Sequence, residues 1–287
     1  MGKEQKTLIY IIGSGRSGTT LLDVLLGNNF DSISLGEINR FYKREGLPPK
    51  RKKSDKTYIY WNNIKSKLDK QTLDFKALNH LFKKNEFHTS ILKSVFKLNP
   101  KAYVDGLILQ YKIIKENTDE TILIESSKYP TRALNISNYL STEEFSIKYI
   151  YLKKDPVKVI KSFQKKDLEQ PSKGFFSANV YYLMVNLLCN YIVFKLRRRK
   201  HDVAIVNYED LLFDPTKTID RLSKKLKIDF TGLNQKLKTK APLNTGFLFD
   251  GNRIRLKETL TLQPSDNSDK KNVKYYFTRV FNYIVYR

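Results

Sequence analysis

Residues 7–26 read TLIYIIGSGRSGTTLLDVLL, and this stretch decides the fold. The apolar run over 7–12 has the length of a short buried strand, and a helical pattern over 19–26 ends at Gly27. Between them lies a turn that contains three glycines. Such a turn directs backbone N–H groups and the positive end of a helix to one point, where they can hold a phosphate-like anion. The stretch therefore predicts an α/β domain that binds an anion.

The rest of the chain continues the alternation of strands and helices. The predicted strands are one that ends at 36 and three that cover 121–124, 147–152 and 203–206. The predicted helices cover 131–140 and 180–196, and a third begins at 157. This alternation argues for a central parallel sheet flanked by helices, a P-loop-like three-layer α/β domain. We expect a single domain over 1–287, with a basic surface loop over 43–56 and a mostly helical insertion over 41–117.

The glycine-rich loop differs from an ATP-binding loop at one position. Its glycines and Thr20 fit the Walker A spacing, but Thr19 occupies the position of the lysine that neutralises a triphosphate. Arg16 inside the loop offers a planar fork of donors that matches a sulfate or phosphate face. The loop therefore points away from ATP hydrolysis. Its predicted anion-binding residues are Gly13, Ser14, Gly15, Arg16, Ser17, Gly18, Thr19 and Thr20.

The charge balance of the chain is strongly basic. Lysine and arginine number 53 against 29 for aspartate and glutamate, which gives a formal net charge of +24. Part of this excess reflects a composition rich in Lys and Asn. The remainder predicts an anionic partner, such as nucleic acid, an acidic membrane surface or a phosphate- or sulfate-bearing small molecule. One cysteine, Cys189, excludes a disulfide framework or a cysteine zinc site, and three histidines argue against an all-histidine one, so we expect no metal.

The apolar runs are short. The run over 8–12 is too short for the core of a secretory signal, and the run over 180–194 falls below the ~20 residues of a bilayer span. We therefore expect a cytoplasmic protein without a membrane span. A buried helix is predicted from the stripe of Tyr181, Tyr182, Met184, Leu187, Leu188, Tyr191 and Ile192. The alternative is a helix that lies on an anionic membrane, so peripheral membrane contact stays open.

Several segments, in order along the chain, resemble the motifs of sulfotransferases that use 3'-phosphoadenosine 5'-phosphosulfate (PAPS). GRSGTTLL at 15–22 resembles the 5'-phosphosulfate loop of tyrosylprotein and bacterial carbohydrate-type sulfotransferases. GE at 36–37 resembles the segment with the catalytic glutamate, and ESSKYP at 125–130 resembles the Ser-Lys-x-Pro segment. KDP at 154–156, with Ser162, resembles the 3'-phosphate motif. YEDL at 208–211, with DP at 214–215, resembles a structural motif, and GNRIR at 251–255 resembles the segment that closes over the nucleotide. Two positions depart from the pattern: Lys154 stands where arginine is usual, and Phe247 where many relatives have histidine.

The resemblance implies a role for each matching residue. Arg16 and Lys128 would stabilise the charge on the leaving oxygen without a metal, and Glu37 would accept the proton of the attacking hydroxyl. The 3'-phosphate and the nucleotide would be held by Lys154, Ser162, Gly251, Asn252, Arg253 and Arg255.

Alternative roles remain for several of these residues. Glu37 could instead be a structural carboxylate paired with Arg40 or Arg44, and His88 is the alternative base. We interpret YED at 208–210 as the acidic first turn of a helix and not as a catalytic group.

These observations together predict an enzyme that transfers the sulfuryl group of PAPS to a hydroxyl and leaves 3',5'-ADP. By analogy with the bacterial relatives, we expect a saccharide or glycolipid acceptor, with specificity set by the insertion over 41–117. The rings expected to stack on sugars are Tyr42, Tyr58, Tyr60 and Trp61. One alternative is a nucleotide kinase or NTPase, in which Asp155 is a weak candidate for holding magnesium. The other is a basic nucleic-acid-binding protein, although the chain lacks the aromatic-basic motifs of the known modules.

Overall fold

The computed structural model describes residues 5–70, 74–165, 172–262 and 271–286. Its centre is a five-stranded parallel sheet in the order β2-β3-β1-β4-β5. The strands are β1 (Lys6–Gly13), β2 (Ser32–Gly36), β3 (Ile122–Lys128), β4 (Phe145–Lys153) and β5 (Val203–Asn207). A short antiparallel pair, β6 (Leu243–Asn244) and β7 (Thr259–Leu260), forms a second sheet. The fold class predicted from the sequence is confirmed.

The helices fall on both faces of the sheet and in the insertion. They are α1 (Thr19–Leu26), α2 (Lys56–Asp69), α3 (Phe75–Glu86), α4 (Ile91–Val95), α5 (Lys101–Glu116), α6 (Pro130–Tyr139), α7 (Pro156–Gln164), α8 (Phe175–Arg198), α9 (Tyr208–Phe213), α10 (Pro215–Leu226), α11 (Thr231–Lys238), α12 (Val273–Phe281) and α13 (Tyr283–Tyr286). Short 3₁₀ turns occur at Ile38–Arg40, Tyr42–Arg44, His88–Ser90 and Arg253–Leu256.

The central strand contributes to two hydrophobic cores because neighbouring side chains of a strand point to opposite faces. Leu8, Tyr10 and Ile12 of β1 pack into the core shared with α5, α6 and α8. Ile9 and Ile11 pack into the core shared with α1, α10 and α11. All five side chains are fully buried, which is why the strand is a continuous apolar run in the sequence and not an alternating one.

The third strand is longer than the pattern indicates. The prediction stops at residue 124 because polar residues follow, whereas β3 continues to Lys128. Glu125 and Ser126 are fully buried there, and each has a partner: Arg132 Nε lies 2.7 Å from Glu125, and the Ser126 hydroxyl donates to Asp23 at 2.6 Å. Polar residues can extend a central strand when the interior supplies such partners.

The insertion over 41–117 contains α2 to α5 and buries most of its aromatic rings. Trp61 and Tyr42 are 0% and 2% exposed, and the Phe41 ring contacts both. Tyr60 is partly buried and its hydroxyl is bonded to Thr118. The expectation that Tyr42 and Trp61 stack on sugars is therefore wrong, because both rings form the core that attaches the insertion to the sheet.

Helix α8 differs from its prediction in length and in burial. It is 24 residues long, and Met184, Leu187 and Tyr191 are exposed although the stripe that contains them predicts a buried helix. Its length and composition would allow it to cross a membrane, but 44% of its most apolar window is buried inside the protein. The C-terminal helices α12 and α13 pack against it.

Candidate active site

The glycine-rich loop connects the carboxyl end of β1 to the first turn of α1. Gly18 has a φ of 94°, and a Cβ atom there would lie 2.2 Å from the ring of Tyr208. Only glycine therefore allows this conformation and this contact. The Ser17 hydroxyl donates to the Ser14 carbonyl at 2.8 Å, which closes the loop on itself. The loop is a preformed turn whose backbone N–H groups lie at a helix N-terminus, as an anion site requires.

The Arg16 side chain extends from this loop and packs on an aromatic ring. Its guanidinium lies 5.6 Å from the ring centroid of Phe163 in α7, and that ring makes an edge contact with Tyr181 of α8 at 5.3 Å. The residue itself adopts a left-handed conformation, with a φ of 67°. Packing of a cation on rings restricts its side chain, so that Arg16 is held at the cavity described next.

A cavity of about 550 Å³ opens where the carboxyl ends of the strands meet. Eight cationic residues line it: Arg16, Arg40, Arg44, Lys50, Lys128, Lys154, Arg253 and Arg255. Within the described ranges, its lining includes no aspartate or glutamate. The cavity therefore has the charge of a site for a multiply charged anion.

Most of the sequence-predicted site residues come together here. Those that line the cavity are Arg16, Gly18, Thr19, Thr20, Lys128, Lys154, Ser162, Gly251, Asn252, Arg253 and Arg255. Five predicted residues are not part of its lining: Gly13, Ser14, Gly15, Ser17 and Glu37. The sequence reasoning missed Arg40, Arg44 and Lys50 as lining residues, although a basic loop close to Glu37 was a usable signal. It also missed Tyr208, whose position after β5 places it at the same edge of the sheet.

Glu37 lies just beyond the end of β2 and is 2% exposed. One carboxylate oxygen is paired with Lys128 Nζ, and the other lies 3.1 Å from Arg40 Nη2. Both partners line the cavity, so the carboxylate is held at its wall. The alternative pairing considered from the sequence occurs with Arg40, whereas Arg44 Nε lies 3.3 Å from Asp250 instead. The pairing with Arg40 that the structural alternative predicts is therefore present, and the carboxylate that makes it is buried.

Asp250 lies next to Glu37, whose N–H donates to the Asp250 carbonyl at 3.0 Å, and it was not predicted. It is 1% exposed, and its carboxylate lies 3.2 Å from Arg40, 3.3 Å from Arg44 and 3.7 Å from Arg255. Three arginines from two distant segments thus share one buried acid. The next residue, Gly251, has a φ of 147°, and a Cβ atom there would lie 3.2 Å from Thr20 Oγ1. The segment after Asp250 therefore packs directly against the start of α1.

Beneath the cavity, Asp23 of α1 connects the ends of two strands. Its carboxylate accepts hydrogen bonds from the Ser126 hydroxyl at 2.6 Å and from the Gly36 N–H at 3.0 Å. Complete burial raises the pKa of Asp23 to about 7. These bonds fix the positions from which Glu37 and Lys128 reach the cavity.

Lys154 and Ser162 lie at the side of the cavity formed by β4 and α7. The Lys154 ammonium lies 4.0 Å from the ring centroid of Tyr208, and burial lowers the pKa of Lys154 to about 8. Asp155, the magnesium candidate of the kinase alternative, accepts a bond from the Val157 N–H at 2.8 Å and pairs with Arg279. Asp155 is thus a helix cap whose charge is already balanced, which argues against that role.

His88 lies outside the cavity lining. Its ring makes edge contacts with Tyr129 and Tyr181, at centroid distances of 5.4 and 6.4 Å, and burial lowers its pKa to about 4. The imidazole is therefore neutral at pH 7. No group of three or more His, Cys, Asp or Glu residues that could bind a metal ion occurs in the described part of the chain.

A family model described as "Sulfotransferase family" matches residues 9–232. The chain belongs to the sulfotransferase family. It is an enzyme that transfers a sulfuryl group, as the sequence predicts. The matched range includes the loop, Glu37, Lys128, Lys154 and Ser162, while the segment 251–255 lies beyond it. A comparison with curated protein sequences found no match.

Solved structures show the same fold as this sulfotransferase. The sulfotransferase domain from the curacin biosynthetic pathway is 18% identical, with 99% of each chain covered and a TM-score of 0.53. The sulfotransferase domain from the Synechococcus PCC 7002 olefin synthase is 19% identical, with 99% of this chain and 96% of that chain covered and a TM-score of 0.50. At these identities the likeness concerns the fold, and the roles of single residues depend on the geometry described above.

Proposed function

We propose that this sulfotransferase uses PAPS as its donor and sulfates a hydroxyl of a saccharide or glycolipid, with Glu37 as the general base. The observation that carries the proposal is the cavity itself, which is lined by eight cations from separate segments and by no acid within the described ranges. PAPS bears anionic groups at two ends, the 5'-phosphosulfate and the 3'-phosphate. A donor of this kind needs cations at both ends, and fixed cations supply them without a metal ion.

The two ends of the donor match two groups of residues. The 5'-phosphosulfate would occupy the loop, where backbone N–H groups at the start of α1 meet Arg16 and Lys128. The 3'-phosphate would contact Lys154 and Ser162, which line the same cavity. The cavity volume of about 550 Å³ falls in the range of small-molecule sites. The residues Gly251, Asn252, Arg253 and Arg255 would close over the nucleotide.

The chemistry requires one proton transfer and one exchange of bonds at sulfur. The acceptor O–H gives its proton to the Glu37 carboxylate while the acceptor oxygen forms a bond to sulfur. The bond between sulfur and the bridging phosphate oxygen breaks, and 3',5'-ADP leaves with the negative charge on that oxygen. Arg16 and Lys128 stabilise this charge as it develops. The pairing of Glu37 with Lys128 joins the base and the charge-stabilising cation in one hydrogen-bonded unit.

The acceptor class rests on the resemblance to bacterial carbohydrate-type sulfotransferases, which is an analogy at family level. The proposal that the insertion contributes to acceptor specificity is supported by Pro49 and Lys50, two residues of its basic loop that line the cavity. Of the aromatic residues first considered, Tyr58 and Tyr60 are partly exposed. A screen of labelled-sulfate transfer onto glycans and glycolipids tests the acceptor. Exchange of 41–117 between relatives should change acceptor preference, and an unchanged preference would assign specificity elsewhere.

Calorimetry with 3',5'-ADP tests the donor site. Binding should occur without magnesium, and affinity should fall by between about tenfold and a hundredfold in Arg16→Ala and Ser162→Ala, since each loses a charge-assisted hydrogen bond. Ser66→Ala, an exposed serine of α2, is the matched control and should bind normally. Unchanged affinity in both cavity variants contradicts the site assignment. Magnesium-dependent binding of ATP with no binding of 3',5'-ADP would instead support the kinase alternative.

A further inference from the structure

The outer face of α8 exposes an uninterrupted series of apolar side chains. Between Ser177 and Arg197, the exposed positions of this helix are Val180, Met184, Leu187, Tyr191 and Phe194. At 100° per residue these five positions fall within an arc of about 80°. The opposite face packs into the cores through residues such as Tyr182, Cys189 and Ile192. The protein thus exposes apolar surface that its own interior does not use.

The C-terminal helices extend this surface. The exposed side chains of α12 and α13 include Val273, Tyr276, Phe277, Val280 and Ile284, and Val280 is 78% exposed. The ring of Phe277 lies 5.8 Å from the ring of Phe176 at the start of α8. The two stripes therefore meet, and we call them together the α8–α12 surface. A contiguous exposed apolar surface of this kind marks a contact with a partner or a membrane.

Cations surround this surface, and acids are absent from its segments. Residues 172–200 and 271–286 contain no aspartate or glutamate. The basic residues of these segments include Lys173, Lys195, Arg197, Arg198 and Lys274. Several lie over the aromatic rings, with Lys195 5.7 Å from Tyr191 and Arg198 5.6 Å from Phe194. Aromatic and aliphatic side chains beside positive charge are typical of a surface that binds anionic lipid headgroups.

We propose that the α8–α12 surface binds the enzyme to an anionic lipid bilayer, with α8 lying in the plane of the interface. A second copy of the chain fits the charges poorly, because it would bring two basic margins together in a protein of net charge +24. A spanning orientation would require α8 to withdraw Ala178, Tyr182 and Val185 from the interior. No residue of the α8–α12 surface lines the cavity, so membrane binding and donor binding can be measured separately.

Sedimentation with vesicles tests the proposal on the full chain. The protein should bind phosphatidylcholine vesicles that contain phosphatidylglycerol and bind pure phosphatidylcholine weakly. Met184→Gln with Leu187→Gln should lower the affinity by between about tenfold and a hundredfold, because two side chains lose their burial in lipid. Val280→Gln on α12 is an independent variant with the same expected direction. Phe213→Gln is the matched control, since Phe213 of α9 is 91% exposed and lies outside the surface.

The contribution of the basic residues to membrane binding is measured separately, as the preference for phosphatidylglycerol vesicles. Arg197→Gln with Arg198→Gln should reduce the preference for phosphatidylglycerol by about fivefold per charge, and added salt should act in the same direction. Each variant should bind 3',5'-ADP and unfold thermally as the unchanged protein does, which shows that it is folded.

Three results would overturn the proposal. The first is that the protein fails to bind phosphatidylglycerol vesicles. The second is that folded Met184/Leu187 and Val280 variants bind as well as the unchanged protein. The third is a stable dimer that the Met184/Leu187 variant dissociates, which would assign the surface to a second copy.

Discussion

Two charged regions of the molecule use the same residue types for opposite purposes. In the interior, Arg132 is fully buried and contacts Glu125, Glu86 and the side chain of Gln110, so that two carboxylates balance one cation. At the end of the sheet, eight cations line the cavity, and the acids beside them, Glu37 and Asp250, are buried behind its wall. Charge that is balanced by its neighbours holds the fold together. Charge in excess around an open volume favours an anionic ligand.

The largest effect is expected at Glu37, the proposed general base. Glu37→Gln should reduce the rate of sulfuryl transfer by about 10²- to 10⁴-fold, because the amide cannot accept the acceptor proton. The affinity for 3',5'-ADP should remain close to that of the unchanged protein. Single-turnover transfer and calorimetry measure the two quantities. Glu143→Gln, at an exposed and distant position, is the control, and equal rates in the two variants would exclude Glu37 as the base.

A substitution in the interior cluster around Arg132 should change the free energy of unfolding and not the affinity for 3',5'-ADP. Arg132→Met leaves two buried carboxylates without their cation and should lower the free energy of unfolding by about 3–5 kcal/mol. Arg44→Met removes a 40% exposed partner of Asp250 and should lower it by less than about 1 kcal/mol. Denaturant unfolding measures both. Similar losses in the two variants would remove the distinction between the regions.

The stabilisation of the folded protein by 3',5'-ADP should depend on the cavity residues and not on the interior cluster around Arg132. At about 100 times its Kd, 3',5'-ADP should stabilise the folded protein by about 2.7 kcal/mol, which raises the thermal midpoint by several degrees. The Arg132→Met variant should keep this increment on a lower baseline, whereas Arg16→Ala should retain only about 0.4 to 1.4 kcal/mol of it at the same ligand concentration. An increment that disappears in Arg132→Met would mean that the interior cluster takes part in binding.

The smallest effect concerns pH. Burial lowers the pKa of Lys154 to about 8, so in the free enzyme its positive charge is lost as the pH rises through that value. Affinity for 3',5'-ADP should therefore weaken above pH 8, by up to about tenfold per pH unit. Lys154→Arg, which restores the residue usual in the family, should keep the charge and flatten this dependence. An identical pH profile in both proteins would show that Lys154 does not contact the phosphate.

The sequence predicted the elements of the sheet and the order of the motifs because both depend on local patterns. Gly18 is one example, since a tight turn before a helix demands glycine at that point of the chain. The interpretation of YED at 208–210 as a helix start is confirmed by α9, with Glu209 and Asp210 in its first turn. Local patterns could not predict the position of Tyr208, which follows the edge strand β5 and whose ring lies against Gly18.

The burial of individual apolar and aromatic side chains was the weakest part of the prediction. Trp61 and Tyr42 are in the core and not at an acceptor site, whereas Met184 and Leu187 are on the surface and not in the core. An amphipathic pattern does not distinguish a face that contacts the protein from one that contacts something else. Helix α8 is apolar on both faces, so its pattern alone could not indicate which face is exposed.

The sequence by itself determined the parallel α/β architecture and the position of the anion-binding loop, since these follow from glycines, apolar periodicity and short spacings. It indicated the family through the resemblance of its motifs to those of sulfotransferases. Only the tertiary structure decided that Asp250 meets Arg40, 210 residues earlier in the chain, and that Lys128 pairs with Glu37. It also decided which side of α8 remains exposed. The physical reason is that such contacts depend on how the elements pack, and no local pattern specifies the packing of segments that are distant in sequence.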